Sequence, residues 1–374
     1  MPAPPVPGHR PPRRARLYRT LRTAHLEQAL ELPPATIVYR DRRYDFDEAL
    51  ATRLDLVRAG PLGAAAHLLR SGVTELEVNE PLMRHGVRGT ALVVLVLRTR
   101  ERLGGPRVRV VTYAIENLDP ASARPASARS RAGALLDRAL AHLVWRSTDR
   151  VAYGTEAARD LYHRVLPPVR PAGAEAVVLS LPTACACAPE VRDPAGVVFV
   201  GAFSERKGLP LLRAAWPAVR AARPDATLTV LGKGALEGEV RTWAAQEASV
   251  RLLVDPDRAE IHRRLRRAQV LVLASQHRPG WREQVGLPIK EALAHGCSVV
   301  TTTETGLAPW LAAHGHAVLP PGGRPEDLAA AVAEQLRRRR PAEEVTSALP
   351  ARDGRLVADD WLFAPAGAPA VSDG

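Results

Sequence analysis

Aromatic side chains make up only 4% of this 374-residue chain. With so few stacking platforms and no recognisable reader motif, nucleic acid is a poor candidate partner despite a formal net charge of +12. Long apolar runs are missing as well. The longest worth testing, TALVVLVL, falls far short of the roughly 20 residues a membrane-spanning helix needs. The N-terminal MPAPPVPGHRPPRRARLYR carries proline and charge without an apolar centre, so it does not read as a secretory signal. Cysteine is scarce. Cys185, Cys187 and Cys297 form an odd set without zinc-ligand spacing, which leads to the expectation of a reducing cytoplasm. Lysine is nearly absent too, confined to Lys207, Lys233 and Lys290, so arginine carries almost all the positive charge. In an Ala/Arg/Pro-rich chain the number of arginines says little about partners. The lysines say more, because all three fall in one half, each in or beside a loop or turn.

What is present is an ordinary globular fraction of hydrophobic residues, 46%, in a chain long enough for two cores. Residues 1–15, proline-rich and basic without apolar period, are expected to be disordered. From Thr36 the pattern reads as alternating α/β: ATIVY a strand, DEALATRLDLVRAG and LGAAAHLLRSG helices, TELEV a strand, then a helix before VRVVTYAI. DPASARPASARSR reads as a loop, AGALLDRALAHLVWRS as an amphipathic helix, and PTACACAPEVRDP as a linker. The second half is more regular, with GVVFVG, ATLTVLG, SVRLLV, QVLVLAS, CSVVTT and HAVLP as strands, each followed by a helical segment. Such alternation implies parallel sheets covered by helices on both faces, with ligands at the carboxyl ends of strands. The expected division is a first Rossmann-like domain over 16–183, a second over 184–340, and a tail over 341–374 that crosses back to the first.

One stretch concentrates the chemistry: Glu283-Gln284-Val285-Gly286-Leu287-Pro288-Ile289-Lys290-Glu291. A buried strand leads in and another leads out, with a helix from about Pro288 to His295 between them. Proline suits a first helical turn, because its missing N–H has no partner there and its φ is already helical. The helix start then offers free amides and the positive end of the dipole, and Gly286 lets backbone approach closely, a combination that favours a phosphate. Glu283 before the helix and Glu291 in its first turn can both face one ligand. A phosphate seat between two hydroxyl-seeking carboxylates suggests a nucleotide-sugar pocket; the plainer alternative is a strand–turn–helix with two surface glutamates.

The stretch resembles the E-x7-E motif of retaining glycosyltransferases of family 4, EGFGLPxxEAMAxGxPVV. Glu283, Gly286, Leu287, Pro288, Glu291, Ala292, Ala294, Gly296, Val299 and Val300 match, while Gln284 and Val285 replace the usual Gly and Phe. FVGAFSERKG is similar to the family's FVGRLxxxKG, with Gly201 and Lys207 in place but Ala202 where relatives carry arginine. Arg206, Arg278 and Arg282 are candidates to compensate. Gly232-Lys233-Gly234 is similar to the next nucleotide-side loop, or is a plain turn. RLLVDPDR stands where relatives hold the base through backbone. Glu304, in TTTETGLAPWL, reads as a solvated loop residue. Asp45-Phe46-Asp47 and Asp255-Pro256-Asp257 read as a helix cap and a turn rather than metal sites. In the first half Glu116-Asn117 replaces the family's histidine, and the glycine-rich loop is missing.

The resemblance implies the GT-B fold: two doubly wound Rossmann-like domains facing a cleft, matched well over 190–340 and loosely over 30–180. It implies retaining transfer of a sugar from a nucleotide diphosphate sugar to an acceptor hydroxyl, on a glycan, a lipid-linked molecule or a small molecule, with neither cofactor nor metal. Glu283 would hold the donor sugar near its anomeric carbon, and Glu291 the ribose. Lys207, Arg206, Gly201 and the Gly286–Leu287 amides would hold the diphosphate. The setting implied is cytoplasmic, and the basic helix ALLDRALAHLVWR offers either a peripheral contact with the inner membrane surface or a solvated face. The departures at Ala202 and Glu116 and the missing glycine-rich loop motivate a rival reading, a degenerate glycosyltransferase-like binding protein without activity.

Overall fold

The computed structural model describes residues 13–365 except 44, 121, 123–127, 167–172 and 189. The chain divides into two compact units. One takes the chain through Val178 and resumes at Leu356; the other runs Leu179–Arg355. Most of the expected N-terminal disorder, and part of the DPASARPASARSR loop, lie outside the described residues.

The first unit is built on a seven-stranded parallel sheet: β1 (Arg14–Leu21), β2 (Thr36–Arg42), β3 (Leu56–Arg58), β4 (Glu75–Glu77), β5 (Arg109–Ala114), β6 (Arg150–Tyr153) and β7 (Glu175–Val177), in the order β3-β2-β1-β4-β5-β6-β7. β1 begins well before Thr36, where the sequence pattern starts to be readable. Its sequence RARLYRTL hides a buried face behind arginine: Ala15, Leu17 and Leu21 are buried, and so is Arg16. A second difference falls on DEALATRLDLVRAG, expected to be one helix. Asp47 caps only a short helix, Glu48–Ala51, accepting from the amides of Ala49 (2.8 Å) and Leu50 (3.1 Å). The chain then turns into β3, paired in register with β2 (Ile37 with Leu56, Val38 with Val57). Three paired residues at a sheet edge leave no periodicity for a sequence reader to detect.

Burying Arg16 requires partners, and the sheet and a distant helix supply them. Its guanidinium reaches Glu77 Oε2 on β4 (3.3 Å) and Asp359 Oδ1 (3.0 Å), and Arg14 reaches Asp359 Oδ2 (2.8 Å). Asp359 sits on the helix Gly354–Phe363, whose Ala358, Trp361, Leu362 and Phe363 pack against Val111, Ala152 and Val178. The carboxyl end of the chain thus completes the core of the first unit. Charge caps the same junction. Arg109 donates to the Phe363 carbonyl (2.8 Å), Arg150 to that of Trp361 (2.6 Å), and the Arg14 guanidinium lies 3.7 Å from the Phe363 ring centroid.

The second unit holds a six-stranded parallel sheet: β8 (Gly196–Val200), β9 (Thr227–Gly232), β10 (Val250–Val254), β11 (Val270–Leu273), β12 (Ser298–Thr302) and β13 (Ala317–Leu319), in the order β10-β9-β8-β11-β12-β13. Every residue of β8, β11 and β12 is buried, as expected of parallel strands covered on both faces. Strand order reverses between β8 and β11. At such a switch point the loops leaving the two strands diverge and open a crevice at the carboxyl edge. Among the described residues no helix is long and apolar enough to cross a membrane.

Candidate active site at the switch point of the second sheet

The loop leaving β8 runs Gly201-Ala202-Phe203-Ser204 into a short 3-10 turn, Glu205–Lys207. Gly208 follows with φ +74, and a Cβ there would stand 1.9 Å from the Ala274 carbonyl at the end of β11. Only glycine allows the β8 loop to press so closely on β11, and that contact delivers Lys207 to the crevice. The neighbouring loop packs from the other side. The Phe203 amide donates to the Lys233 carbonyl (2.9 Å), and the Gly201 carbonyl would lie 1.9 Å from any Cβ on Gly232. The glycines of Gly232-Lys233-Gly234 therefore serve backbone packing. Lys233 itself extends to Asp255 Oδ2 (2.8 Å), at the surface.

From β11 the chain passes Ser275 and a bridge between Arg278 and Trp281, then reaches Glu283. Gly286, at φ +82, turns it into the helix Leu287–Ala294, with Pro288 in the first turn and no side chain capping the start. The carboxylate of Glu283 meets the Lys207 ammonium, and Ser275 Oγ donates to the same Glu283 oxygen (3.1 Å). Both side chains are largely buried, 11% and 12% exposed. Trp281 forms a wall beside them. The Arg206 guanidinium lies 4.6 Å from its ring centroid and the Lys207 ammonium 5.6 Å.

Glu291, one turn into the helix, is buried at 8% and takes Arg258 Nη1 at 2.5 Å. Arg258 opens the helix Arg258–Arg267, whose start is capped by Asp257 through the Glu260 amide (2.7 Å). The loop after β10 thus reaches the helix Leu287–Ala294 through a charged pair. RLLVDPDR, expected to hold a base through its backbone, supplies the Arg258 side chain to Glu291. The signal was available: an arginine just after the capping aspartate, at the carboxyl end of a strand.

Glu304 departs from expectation. It is 5% exposed, with His277 Nδ1 at 3.6 Å and Arg282 Nε at 3.9 Å, because the loop after β12 folds under the β11 loop: the Gly306 amide donates to the Gln284 carbonyl (2.8 Å) and Thr305 Oγ1 to that of Val285 (2.8 Å). Of the arginines considered as substitutes at Ala202, Arg206 stacks on Trp281, Arg278 pairs with Glu205 (2.6 Å), and Arg282 donates to the Thr303 carbonyl (3.1 Å). Lys290 points elsewhere, toward Ser180 (3.5 Å) and Asp353 (3.4 Å). Asp45-Phe46-Asp47 and Asp255-Pro256-Asp257 each spend an aspartate on a helix cap.

In the first unit the turn after β5, with Glu116-Asn117, closes over Glu80. Its Oε2 accepts from the amides of Ile115 (3.0 Å) and Glu116 (2.9 Å) and from Tyr162 Oη (3.2 Å). Burial, with the charge of Glu116 added, pushes its carboxyl up to about 8. Glu116 itself accepts from the Leu118 amide (3.0 Å), closing the turn after β5.

A hollow of about 450 Å³, lined by Leu211, Ala274, Leu319, Pro320 and Leu328 among others, lies elsewhere in the second unit. None of Lys207, Glu283 and Glu291 lines it, and its surface is mainly apolar, so it is a poor seat for a diphosphate.

Residues 194–338, which span β8 to β13, match the family model of glycosyl transferases group 1. No curated protein sequence matches. Among solved structures, the chain is similar to a lipopolysaccharide outer core galactosyltransferase, WaaB (TM-score 0.64, 11% identity, 94% of this chain and 99% of that one). It is also similar to WaaG, a glycosyltransferase involved in lipopolysaccharide biosynthesis (0.62, 14%, 94% and 100%). A third likeness is Alr3699/HepE of Anabaena in complex with UDP (0.60, 12%, 94% and 95%). The fold is GT-B, with two Rossmann-like parallel α/β units.

Proposed function

We infer that this protein transfers a sugar from a nucleotide diphosphate sugar to an acceptor hydroxyl, with retention of anomeric configuration and with no metal on the diphosphate. The observation that carries the reading is the meeting of Lys207 and Glu283 at the β8–β11 switch point, beside the uncapped start of the helix Leu287–Ala294. The match of this unit to a glycosyltransferase family model supports it, as do two similar proteins described as glycosyltransferases and a third solved with UDP.

The chemistry required is chiefly electrostatic. As the glycosidic bond breaks, negative charge grows on the departing diphosphate. Lys207, Arg206 and the Gly286–Leu287 amides would stabilise it where it develops. Gly201 gives the phosphates close access to backbone. Glu283 would accept hydrogen bonds from sugar hydroxyls near the anomeric carbon, and Glu291 from the ribose, with Arg258 holding its carboxylate in place. The acceptor is a hydroxyl of a glycan, a lipid-linked molecule or a small molecule. We assign no nucleic-acid partner, and a cytoplasmic setting with peripheral contact at the inner membrane surface. The helix Ala128–Ser147, which exposes Leu135, Leu136 and Arg138, is the surface suited to that contact.

The rival, a degenerate binding protein, draws on Ala202 and on the existing pairing of Lys207 with Glu283. Incubation with a panel of UDP-, GDP- and ADP-sugars separates the two. Release of nucleoside diphosphate with formation of an axially linked glycoside from an axial donor supports transfer with retention. Saturable binding without turnover of any donor would favour the rival.

A further inference from the structure

The segment that enters the second unit is strapped across the carboxyl end of the helix Leu287–Ala294. The Cys185 amide donates to the Ala294 carbonyl (2.8 Å), and Arg192 donates to the carbonyls of His295 and Gly296 (2.9 Å to Gly296). Three metal-ligating groups converge there. The sulfurs of Cys185 and Cys187 and a ring nitrogen of His295 all lie within 4.8 Å of one another, with Cys187 Sγ 3.6 Å from His295 Nδ1. Cys187 and His295 are 108 residues apart, which is why the cysteine spacing alone gave no sign of a site. The two sulfurs are in bonding contact, so a disulfide is the competing form of the pair.

We propose that Cys185, Cys187 and His295 bind one soft or borderline divalent cation of the zinc type, clipping the entering segment to the end of the helix. A disulfide would use the two sulfurs and leave unexplained the histidine nitrogen directed at them. The histidine is also prepared as a ligand. His262 Nδ1 stands 2.8 Å from His295 Nε2, with the two rings edge to face. A proton on His295 Nε2, donated to His262, leaves the Nδ1 lone pair facing the sulfurs, the arrangement that fixes tautomer and ring angle in metal-bound histidines.

Two thiolates and an imidazole select zinc or cobalt over magnesium or calcium, which take oxygen ligands. Binding displaces one proton from each thiol, and the two thiolates then balance the charge of the cation. Cys185 is exposed, so solvent can supply a fourth ligand. The site lies at the opposite end of the helix from Gly286, about 12 Å away for eight residues. It is a structural clip and stands apart from the phosphate seat.

The test is a titration of the fully reduced protein with Co²⁺ under anaerobic conditions, followed by Zn²⁺. One equivalent of Co²⁺ is expected to give thiolate-to-metal charge-transfer absorption, which Zn²⁺ abolishes by displacement. Cys185→Ser and Cys187→Ser should lose the band. His262→Gln should keep it while weakening affinity by about 10- to 100-fold, because it acts only through the orientation of His295. Cys297→Ala, at a buried thiol that donates to the Leu265 carbonyl (3.1 Å), should bind as the parent does. Absence of thiolate absorption, parent affinity no higher than that of Cys187→Ser, or a Cys185–Cys187 pair that mass spectrometry finds still oxidised after reduction would each overturn the proposal.

Discussion

Lys207 and Glu283, 76 residues apart in sequence, meet at the carboxyl edge of the second sheet, one following β8 and the other following β11. On the proposed reading, donor binding must share or replace this pairing, since phosphate competes for the ammonium and sugar hydroxyls compete for the carboxylate. Lys207→Ala is expected to weaken binding of the free nucleoside diphosphate by about 1.5–3 kcal/mol, the range for hydrogen bonds to charged groups. Glu283→Ala is expected to lower kcat far more than nucleotide affinity, because the free nucleotide lacks the sugar. Calorimetry with the nucleotide, set beside turnover, reads the contrast. Equal loss of affinity in both variants with kcat intact would remove Glu283 from the sugar.

Glu291 and Arg258 form a pair that, on the proposed reading, separates the ribose contact from the group that orients it. Glu291→Ala should cost about 1.5–3 kcal/mol of nucleotide affinity. Arg258→Ala should cost less, because it removes only the group that orients the carboxylate. If Arg258→Ala proved the more damaging in calorimetry, the arginine and not the carboxylate would be the ribose contact.

On the proposed reading Lys207 and the helix start would carry the charge of the leaving group, so magnesium and manganese should neither be required for transfer nor enhance it. The cleanest measurement uses Cys187→Ser, in which a chelator cannot act through the cysteine–histidine cluster. Activity abolished by chelator in that variant and restored by magnesium or manganese would defeat the metal-free mechanism.

Glu80 gives the first unit a pH dependence of defined sign. Its folded-state value, about 8, lies above the ordinary carboxyl range, with burial the largest cause. The folded form therefore holds a proton that the unfolded chain releases. This favours folding below the ordinary carboxyl value and is lost progressively as pH rises toward about 8. Glu80→Gln keeps an oxygen for the Ile115 and Glu116 amides but cannot ionise. Its melting temperature relative to the parent should rise between about pH 5 and about pH 9. A constant difference across that range would mean that Glu80 does not titrate as described.

Asp359 is fully buried between Arg14 and Arg16. Asp359→Ala leaves the buried Arg16 guanidinium short of a counter-charge, and destabilisation by about 3–5 kcal/mol is expected in denaturant titration. Asp359→Asn, which retains hydrogen-bonding atoms, should recover part of the loss.

The strands of the second unit were legible because each is a largely apolar run of the right length, while Lys207 and Glu283 were singled out by the family's motifs and by the carboxylates flanking a helix start. β1 was not, because Arg16 looks solvated until its partners are known, and these lie on β4 and on a helix 343 residues away. Glu304 was misjudged for a related reason. Its burial depends on how the β12 loop tucks beneath the β11 loop, which no local pattern encodes. Arg258 carries a local signal, its place just after a capping aspartate, but its partner Glu291 lies 33 residues away. In each case the missing information was a long-range contact.

The return of the helix Gly354–Phe363 to the first core imposes an order on assembly during synthesis. All of Leu179–Arg355 emerges from the ribosome before Asp359 does, so the second unit can fold while Arg14 and Arg16 still lack the Asp359 carboxylate they share. The nascent first sheet must wait with Arg14 and Arg16 paired only to Glu75 and Glu77 on β4, and with Val111, Ala152 and Val178 uncovered. Synthesis speed across the intervening segment thus becomes a variable for yield. Chains stalled or cut before residue 354 should be captured by chaperones through the first unit rather than the second.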